Sequence, residues 1–185
     1  MLQIRIHGRG GQGGKTAAEI LATGAIRSDK YAKSFPEFGP ERTGAPVQYY
    51  TKISNEEIKS NQPIIDPDVV VVLDDTLIGL VNFTDGLKEK GILVFNSSMP
   101  EEKIKENFGK YKIFVVDATK ISFDLFQKNL PNVPMLGSIL KATNVLDLDT
   151  IKEEVKEKFS FLPEDILEKN IKALEKGYNQ IHPIK

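Results

Sequence analysis

The chain has 185 residues, enough for one compact domain with a hydrophobic core but few for two independent domains. Its 25 Lys and Arg residues nearly balance its 26 Asp and Glu residues, so net charge favours neither nucleic acid nor an acidic membrane surface as a partner. The sequence contains no cysteine and two histidines, His7 and His182, which excludes disulfides, a cysteine nucleophile, an iron-sulfur cluster on thiolates of this chain and a histidine-rich metal cluster.

The whole of residues 1–185 is expected to form a single domain. Met1 leads directly into alternating apolar and polar residues without a basic and then apolar leader pattern, and no apolar stretch is long enough to cross a bilayer. We therefore expect a soluble cytoplasmic protein that contacts neither nucleic acid nor a membrane.

The first part of the chain predicts strands that alternate with helices. Residues 2–6 alternate apolar and polar and predict a strand, the glycine-rich residues 8–14 predict a tight loop, and the small residues in 16–26 predict a helix that packs closely on a sheet. Further apolar, β-branched stretches predict strands at 47–53, 69–73, 92–95 and 113–116, with a helix at 77–90. This order predicts a Rossmann-like three-layer α/β domain with a mainly parallel sheet flanked by helices.

Two further segments differ from this alternating pattern. Residues 34–46 contain three prolines and two glycines, which predicts a long, stiffened loop and no regular element. The chain after Pro134 is expected to be wholly helical, with Pro163 at a helix start and Gly177 near a helix end. The predicted helices of this C-terminal part are 136–143, 148–159 and 164–178.

The glycine-rich loop lies between the first strand and the first helix, where an anion-binding loop is plausible. Glycines allow positive φ and close approach to a ligand, and the amides at a helix start are unpaired. A phosphate-loop motif would need glycine at position 9, but Arg9 stands there. The alternative structural explanation is that the glycines let the first helix pack tightly on the sheet.

A dinucleotide-binding motif is the second interpretation of this loop, because Gly8, Gly10 and Gly13 have its spacing. That motif also needs an acidic residue at the end of a second strand about 20 residues later. Asp29 and Glu37 flank the proline-rich loop and do not end a clear predicted strand. A free-standing, Rossmann-like nucleotide-binding protein or oxidoreductase therefore stays as an alternative.

Two sequence motifs resemble the gamma subunits of 2-oxoacid:ferredoxin oxidoreductases. The first is Gly-Arg-Gly-Gly-Gln-Gly at 8–13 followed by residues 16–22, and the second is Phe-Gly-Pro-Glu-Arg-Thr-Gly-Ala-Pro at 38–46, which is similar to the pyruvate-type loop. Further similarities occur at 68–73, 96–98, 132–137 and 170–178. Thr43 departs from many relatives of this kind, which concerns the choice of 2-oxoacid and not the family.

This resemblance implies a subunit that supports a reaction carried out on other chains. Alpha, beta and delta subunits would hold thiamine diphosphate with Mg and [4Fe-4S] clusters, decarboxylate pyruvate oxidatively with coenzyme A to acetyl-CoA, and pass electrons to ferredoxin. The present chain would hold no cofactor or metal, carry no catalytic residue and be inactive alone.

The same resemblance implies which residues of this chain serve the complex. The glycine loop is expected to contact coenzyme A or another anion through Gly8, Arg9, Gly10, Gly11, Gln12 and Gly13. The proline-rich loop is expected to form an interface or cover the active site through Phe38, Glu41 and Arg42. An internal salt bridge between Glu41 and Arg42 is the alternative for that pair.

Polar residues follow several of the predicted strands. Asp74 and Asp75 are candidates for a metal site at the carboxyl edge of the sheet, although N-capping ahead of Thr76 explains them as well. Residues 96–98 and 117–119 stand at equivalent strand ends and are expected either to line the same crevice or to cap helices. Phe35 and Phe38 are candidates for an apolar contact patch or for folding back on the core, and residues 151–158 predict a solvated helix face.

Overall fold

The computed structural model describes residues 1–37 and 43–184. Seven strands form one sheet in the order β2-β3-β1-β4-β5-β6-β7. Their bounds are β1 Leu2–Arg9, β2 Tyr31–Pro36, β3 Pro46–Ser54, β4 Val69–Val72, β5 Ile92–Asn96, β6 Lys112–Val116 and β7 His182–Pro183.

The four central strands are parallel, as the sequence predicted. β1 pairs with β4, β4 with β5 and β5 with β6 in parallel, so that Ile6 aligns with Val71 and Val71 with Val94. The four valines of β4 are buried completely or almost so, because helices and loops cover both faces of a parallel sheet. β3 and β2 extend the sheet antiparallel beyond β1, and β7 pairs antiparallel with β6.

The described part of the chain forms six α-helices. One face of the sheet packs against α1, α3, α4, α5 and α6 in a cluster that includes Ile6, Val71 and Val94. The opposite face packs against α2 and residues 78–87 in a cluster that includes Val72 and Phe95. The helices are α1 Gly14–Arg27, α2 Glu101–Phe108, α3 Ala118–Phe126, α4 Asn132–Thr143, α5 Leu148–Lys158 and α6 Glu164–Gln180.

The predicted helix at 77–90 is wrong. Only Asp75–Leu77 forms a short 3-10 helix, and turns follow it. Gly79 and Gly86 interrupt the segment with φ of 80° and 67°, and a side chain at Gly86 would overlap the Ile65 carbonyl. Apolar side chains such as Phe83 therefore cover the sheet from irregular backbone and not from a helix.

Three other expectations need correction. Residues 34–36 belong to β2, where Pro36 is tolerated because β2 is an edge strand, and Pro46 begins β3. The C-terminal part is not wholly helical, because β7 follows α6. Gly177 lies inside α6 and not at its end, where it allows the Pro134 carbonyl of α4 to approach closely.

The Lys- and Glu-rich residues 151–158 are solvated on only one face of α5. Ile151 and Val155 are fully buried, and Glu154 is also buried and pairs with Arg27 of α1. Within the residues that the structure describes, no helix is long and apolar enough to span a bilayer.

Candidate functional site at the carboxyl ends of the strands

The glycine loop begins at the carboxyl end of β1, which continues through Gly8 and Arg9. Gly11 and Gly13 have φ of 95° and 76°, values that side chains rarely adopt, so the loop needs glycine at both positions. Gly10 N donates to Ala45 O at 2.9 Å, and Gly44 N donates to Gly10 O at 3.0 Å. The loop is therefore held against the segment that leads into β3.

Gln12 fastens the loop to the end of β4. It is only 9% exposed, and its Oε1 accepts the Arg9 amide at 2.8 Å. Its Nε2 donates to Asp74 Oδ2 at 2.7 Å. Both ends of the amide are thus used inside the chain, and Gln12 is a positioning residue in this arrangement.

Arg9 lies over the same carboxylate. Its Nε is 3.3 Å from Asp74 Oδ2, and its Nη2 donates to Thr76 Oγ1 at 2.8 Å. Its Nη1 donates to Gly44 O at 3.0 Å. The guanidinium that the sequence offered to an anion is therefore already engaged by groups of this chain.

The carboxylate of Asp74 contacts Arg9, Gln12 and Thr76 together. Its Oδ1 accepts the amide of Thr76 at 3.0 Å, which makes it the N-cap that the sequence allowed. Burial alone would raise the pKa of Asp74, but hydrogen bonds from Thr76 and Gln12 and the charge of Arg9 together lower it. Asp74 is therefore a carboxylate whose charge stabilises the loop.

The start of α1 packs against α4. The first hydrogen bond into the helix runs from Ala17 N to Gly13 O at 3.0 Å, so the preceding amides have no carbonyl partner within α1. A Cβ at Gly13 would lie 2.5 Å from Nδ2 of Asn132, so this glycine also leaves room for the Asn132 side chain. Gly13 therefore permits the close packing of α1 on α4 and also stands beside the unpaired amides that suit an anionic ligand.

A crevice of about 390 Å³ opens beside the loop, along the carboxyl ends of β4, β5 and β6. The predicted strand-end residues meet in it, since Asp75 accepts Ser97 Oγ at 2.7 Å and Asn96 Nδ2 donates to Thr119 Oγ1 at 2.8 Å. Its lining consists of Leu73, Asp74, Asp75, Thr76, Asn96, Ser97, Ser98, Asp117, Thr119, Lys120, Phe123 and Asn129. Such a strand-end crevice is the usual ligand position in open α/β sheets.

The acidic residues of the crevice also serve the fold. Asp117 Oδ1 accepts the Lys120 amide at 2.7 Å and caps α3, which is the alternative that the sequence left open. Across residues 1–37 and 43–184, no three His, Asp or Glu side chains come close enough to hold a metal ion.

Comparison with known proteins decides the family. The sequence profile described as pyruvate ferredoxin/flavodoxin oxidoreductase matches residues 3–180. The chain belongs to this family. The resemblance that the glycine loop and the proline-rich loop indicated is therefore confirmed.

Relatives in this family match the chain from end to end. It is 43% identical over 182 residues to the pyruvate/ketoisovalerate oxidoreductases common subunit gamma of Thermococcus kodakarensis, which covers 97% of each chain. It is 39% identical over 181 residues to the pyruvate synthase subunit PorC of Thermotoga maritima, covering 97% of this chain and 94% of that one. The crystal structure of pyruvate oxidoreductase subunit PORC from Thermotoga maritima has a TM-score of 0.87 at 36% identity, covering 100% of this chain and 98% of that one.

The topology of the pyruvate ferredoxin/flavodoxin oxidoreductase chain also differs from what the dinucleotide motif needs. Glu37 does follow a strand, but that strand is β2, which β3 separates from β1. The strand directly beside β1 on the other side is β4, and Asp74 near its end holds Arg9 and Gln12. Neither this geometry nor the relatives favour the free-standing nucleotide-binding alternative.

Sequence reasoning missed a buried polar pair in β1, the charged Arg5 and the neutral His7. Arg5 donates through Nη1 to Ile64 O at 3.2 Å and through Nη2 to Phe83 O at 3.1 Å and to Asp85 O. Its Nε donates to His7 Nε2 at 3.1 Å. The signal was available, because a strand central to a sheet that is covered on both faces buries its alternate residues as well.

The remaining predicted site residues are only partly described. Phe38, Glu41 and Arg42 lie outside the described residues, so their roles stay predictions. Phe35 folds back on its own sheet, with its ring 5.3 Å from that of Tyr50 and the Lys52 ammonium 5.5 Å from its centroid.

Proposed function

We propose that this chain is the gamma subunit of a pyruvate:ferredoxin oxidoreductase complex, which converts pyruvate and coenzyme A to acetyl-CoA and passes electrons to ferredoxin. The supporting observation is the full-length match to relatives named as gamma or PorC subunits of pyruvate oxidoreductases. A match over nearly the whole of both chains supports the same role better than a shared domain would.

Its role in the complex is accessory. Iron-sulfur clusters need thiolates, and a sequence without cysteine leaves those to another chain. His7 is buried and accepts from Arg5, whereas His182 is half exposed and pairs with Glu101, so the two histidines do not share a site. Thiamine diphosphate with Mg and the [4Fe-4S] clusters belong, in this proposal, to the alpha, beta and delta subunits.

Contact with coenzyme A is proposed for the glycine loop and the start of α1. The open amides before Ala17 suit a phosphate, and Lys15 nearby is mostly exposed, with Glu19 4.0 Å from its ammonium. Arg9 contributes less directly, because Asp74 and Thr76 already hold its guanidinium. Residues 38–42 remain the proposed interface loop, since the hydrogen bonds between Gly10 and residues 44–45 hold the loop's carboxyl end at this site.

Affinity purification from the native cells tests the subunit role. A tagged copy of this chain should recover thiamine- and cluster-bearing subunits in a fixed ratio, and the recovered complex should reduce ferredoxin with pyruvate and coenzyme A. The purified chain alone should show no such activity. Recovery of the chain without these partners, or activity of the chain by itself, would overturn the proposal.

The proposed contact of the glycine loop with coenzyme A needs a test of its own. Arg9→Gln removes the guanidinium that organises the loop and leaves the rest of the chain intact, whereas Lys110→Gln changes one charge remote from the loop. We expect Arg9→Gln to raise the KM for coenzyme A in the assembled complex with little change for pyruvate. Equal effects of both variants would argue against a role of the loop in placing coenzyme A.

A further inference from the structure

The strand β2 forms an open edge of the sheet. It pairs antiparallel with β3 and, in the described part of the chain, with no other strand. Residues 32–36 are only partly buried, so neither α1 nor the segment after β3 covers them fully. The opposite edge is much shorter, because β7 has two residues. An uncovered edge strand of six residues can pair with a strand of another chain.

The pairing of β2 with β3 shows which backbone groups face outward. Glu37 N donates to Gln48 O at 2.8 Å, and residues of an antiparallel pair exchange hydrogen bonds at alternate positions. The odd-numbered residues of β2 therefore bond to β3, whereas the amide and carbonyl groups of Ala32 and Ser34 point away from it. Pro36, which has no N–H, also occupies an outward position. The open edge thus offers two N–H donors and three carbonyl acceptors.

The side chains on β2 and β3 indicate the charge that a neighbouring strand should carry. Lys33 lies directly opposite Lys52, and like charges that face each other across two strands are unfavourable. In residues 1–37 and 43–184, neither ammonium forms an ion pair with a carboxylate. Lys33 Nζ donates to Asn61 Oδ1 at 2.9 Å, and the buried Lys52 donates through Nζ to Gln62 O at 2.7 Å. A carboxylate beside Lys33 would supply a countercharge that these contacts lack.

We propose that β2 receives an extended, acidic strand from one of the cofactor-bearing subunits. That strand would bond to the backbone of Ala32 and Ser34 and place an Asp or Glu side chain beside Lys33. A second copy of this chain fits less well, because β2 contains a lysine and no carboxylate. The inference rests on the proposed subunit role, and β2 leads directly into residues 38–42, the proposed interface loop.

Equilibrium binding of the purified chain to the remaining subunits, expressed together, tests the backbone part of this proposal. Ser34→Pro removes one outward N–H and places a ring where the added strand would lie, so we expect binding to weaken at least tenfold. The melting temperature of the free chain should change little, because the N–H of Ser34 is not used by β3 and edge strands tolerate proline.

Lys33→Glu tests the charge. In the free chain the introduced carboxylate faces Lys52, so the melting temperature should rise. In the complex it would repel the acidic strand, so binding should weaken about tenfold. Lys110→Glu, ahead of β6 and remote from β2, is the matched control and should change neither quantity. A purely structural role of Lys33 would move stability and binding in the same direction.

The results separate this proposal from the subunit role. Wild-type affinity in the folded Ser34→Pro and Lys33→Glu chains overturns the proposed edge contact and leaves the subunit role intact. If Ser34→Pro does not fold, Lys33→Glu decides alone. Failure of the wild-type chain to bind the remaining subunits overturns both. Dimerisation of the purified chain that Lys33→Glu strengthens would overturn the choice of partner, because a second copy would then occupy the edge.

Discussion

His7 links the stability of the fold to pH. The residue is 3% exposed, and burial, followed by the neighbouring charge of Arg5, lowers the pKa of His7 from 6.5 to about 3. The folded state therefore keeps His7 neutral, with its Nε2 accepting from Arg5, while the unfolded state takes up a proton as the pH falls below about 6.5. Stability from this residue is complete above that pH and is lost progressively down to about pH 3.

The size of the effect follows from the shift. The pKa of His7 in the unfolded chain lies about 1.5 pH units above pH 5, and each unit is worth about 1.4 kcal/mol. His7 alone should therefore lower the unfolding free energy by about 2 kcal/mol at pH 5. That is a large part of the usual stability of a domain. Glutamine at position 7 cannot titrate, and its side-chain oxygen can still accept from Arg5.

Urea unfolding at pH 7, 6 and 5 checks this. The His7→Gln variant should be less stable than the wild type at pH 7 because its packing against Phe83 changes, but it should lose about 2 kcal/mol less between pH 7 and pH 5. His182→Gln, at a half-exposed position, is the control and should follow the wild type. If His7→Gln and the wild type lose equal stability over this interval, His7 is protonated in the folded state and the reasoning is wrong.

Three further substitutions test individual contacts. Gly177→Ala places a Cβ against the Pro134 carbonyl, which should separate α4 from α6 and cost about 3 kcal/mol or more by thermal unfolding, while Asn179→Ala on the same helix should cost little. Gly11→Ala should cost about 1 kcal/mol of unfolding free energy because φ at this position is 95°. The added Cβ would not clash, since the nearest atom, Thr43 Cγ2, is 3.8 Å away. An unchanged melting temperature and yield of the complex would contradict a special backbone there. Asp74→Asn should cost about 1–2 kcal/mol in urea unfolding, because it weakens the hydrogen bond from Gln12 and removes the ion pair with Arg9. If the variant and the wild type are equally stable, the charge of Asp74 does not stabilise the glycine loop.

The central sheet could be predicted because its strands carry strong local signals. The valines of β4 are continuous and β-branched, and strands alternating with helices have few solutions other than a parallel sheet. The strand ends could then be expected to meet, as Asn96 and Thr119 do. The carboxyl ends of neighbouring parallel strands lie side by side, and the sequence pattern of strands alternating with helices predicts that parallel arrangement.

Other features depend on contacts between distant parts of the chain. Residues 77–90 contain good helix formers, but Gly79 and Gly86 adopt positive φ, and Arg5 binds carbonyls of residues 83 and 85 in the turn that results. Arg9 looked available for an anion, because its partner Asp74 is far away in sequence and lies beside it only through the pairing of β1 with β4. Neither the turns in 77–90 nor the contact between Arg9 and Asp74 can be predicted from local secondary-structure propensity.

Reconstitution of the oxidoreductase with and without this chain tests the subunit role most directly. The remaining subunits, expressed together, should show little pyruvate- and coenzyme A-dependent reduction of ferredoxin, and addition of the purified chain should restore it in proportion to the amount that binds. Full activity without this chain, or no association of the chain with the other subunits, would contradict the account.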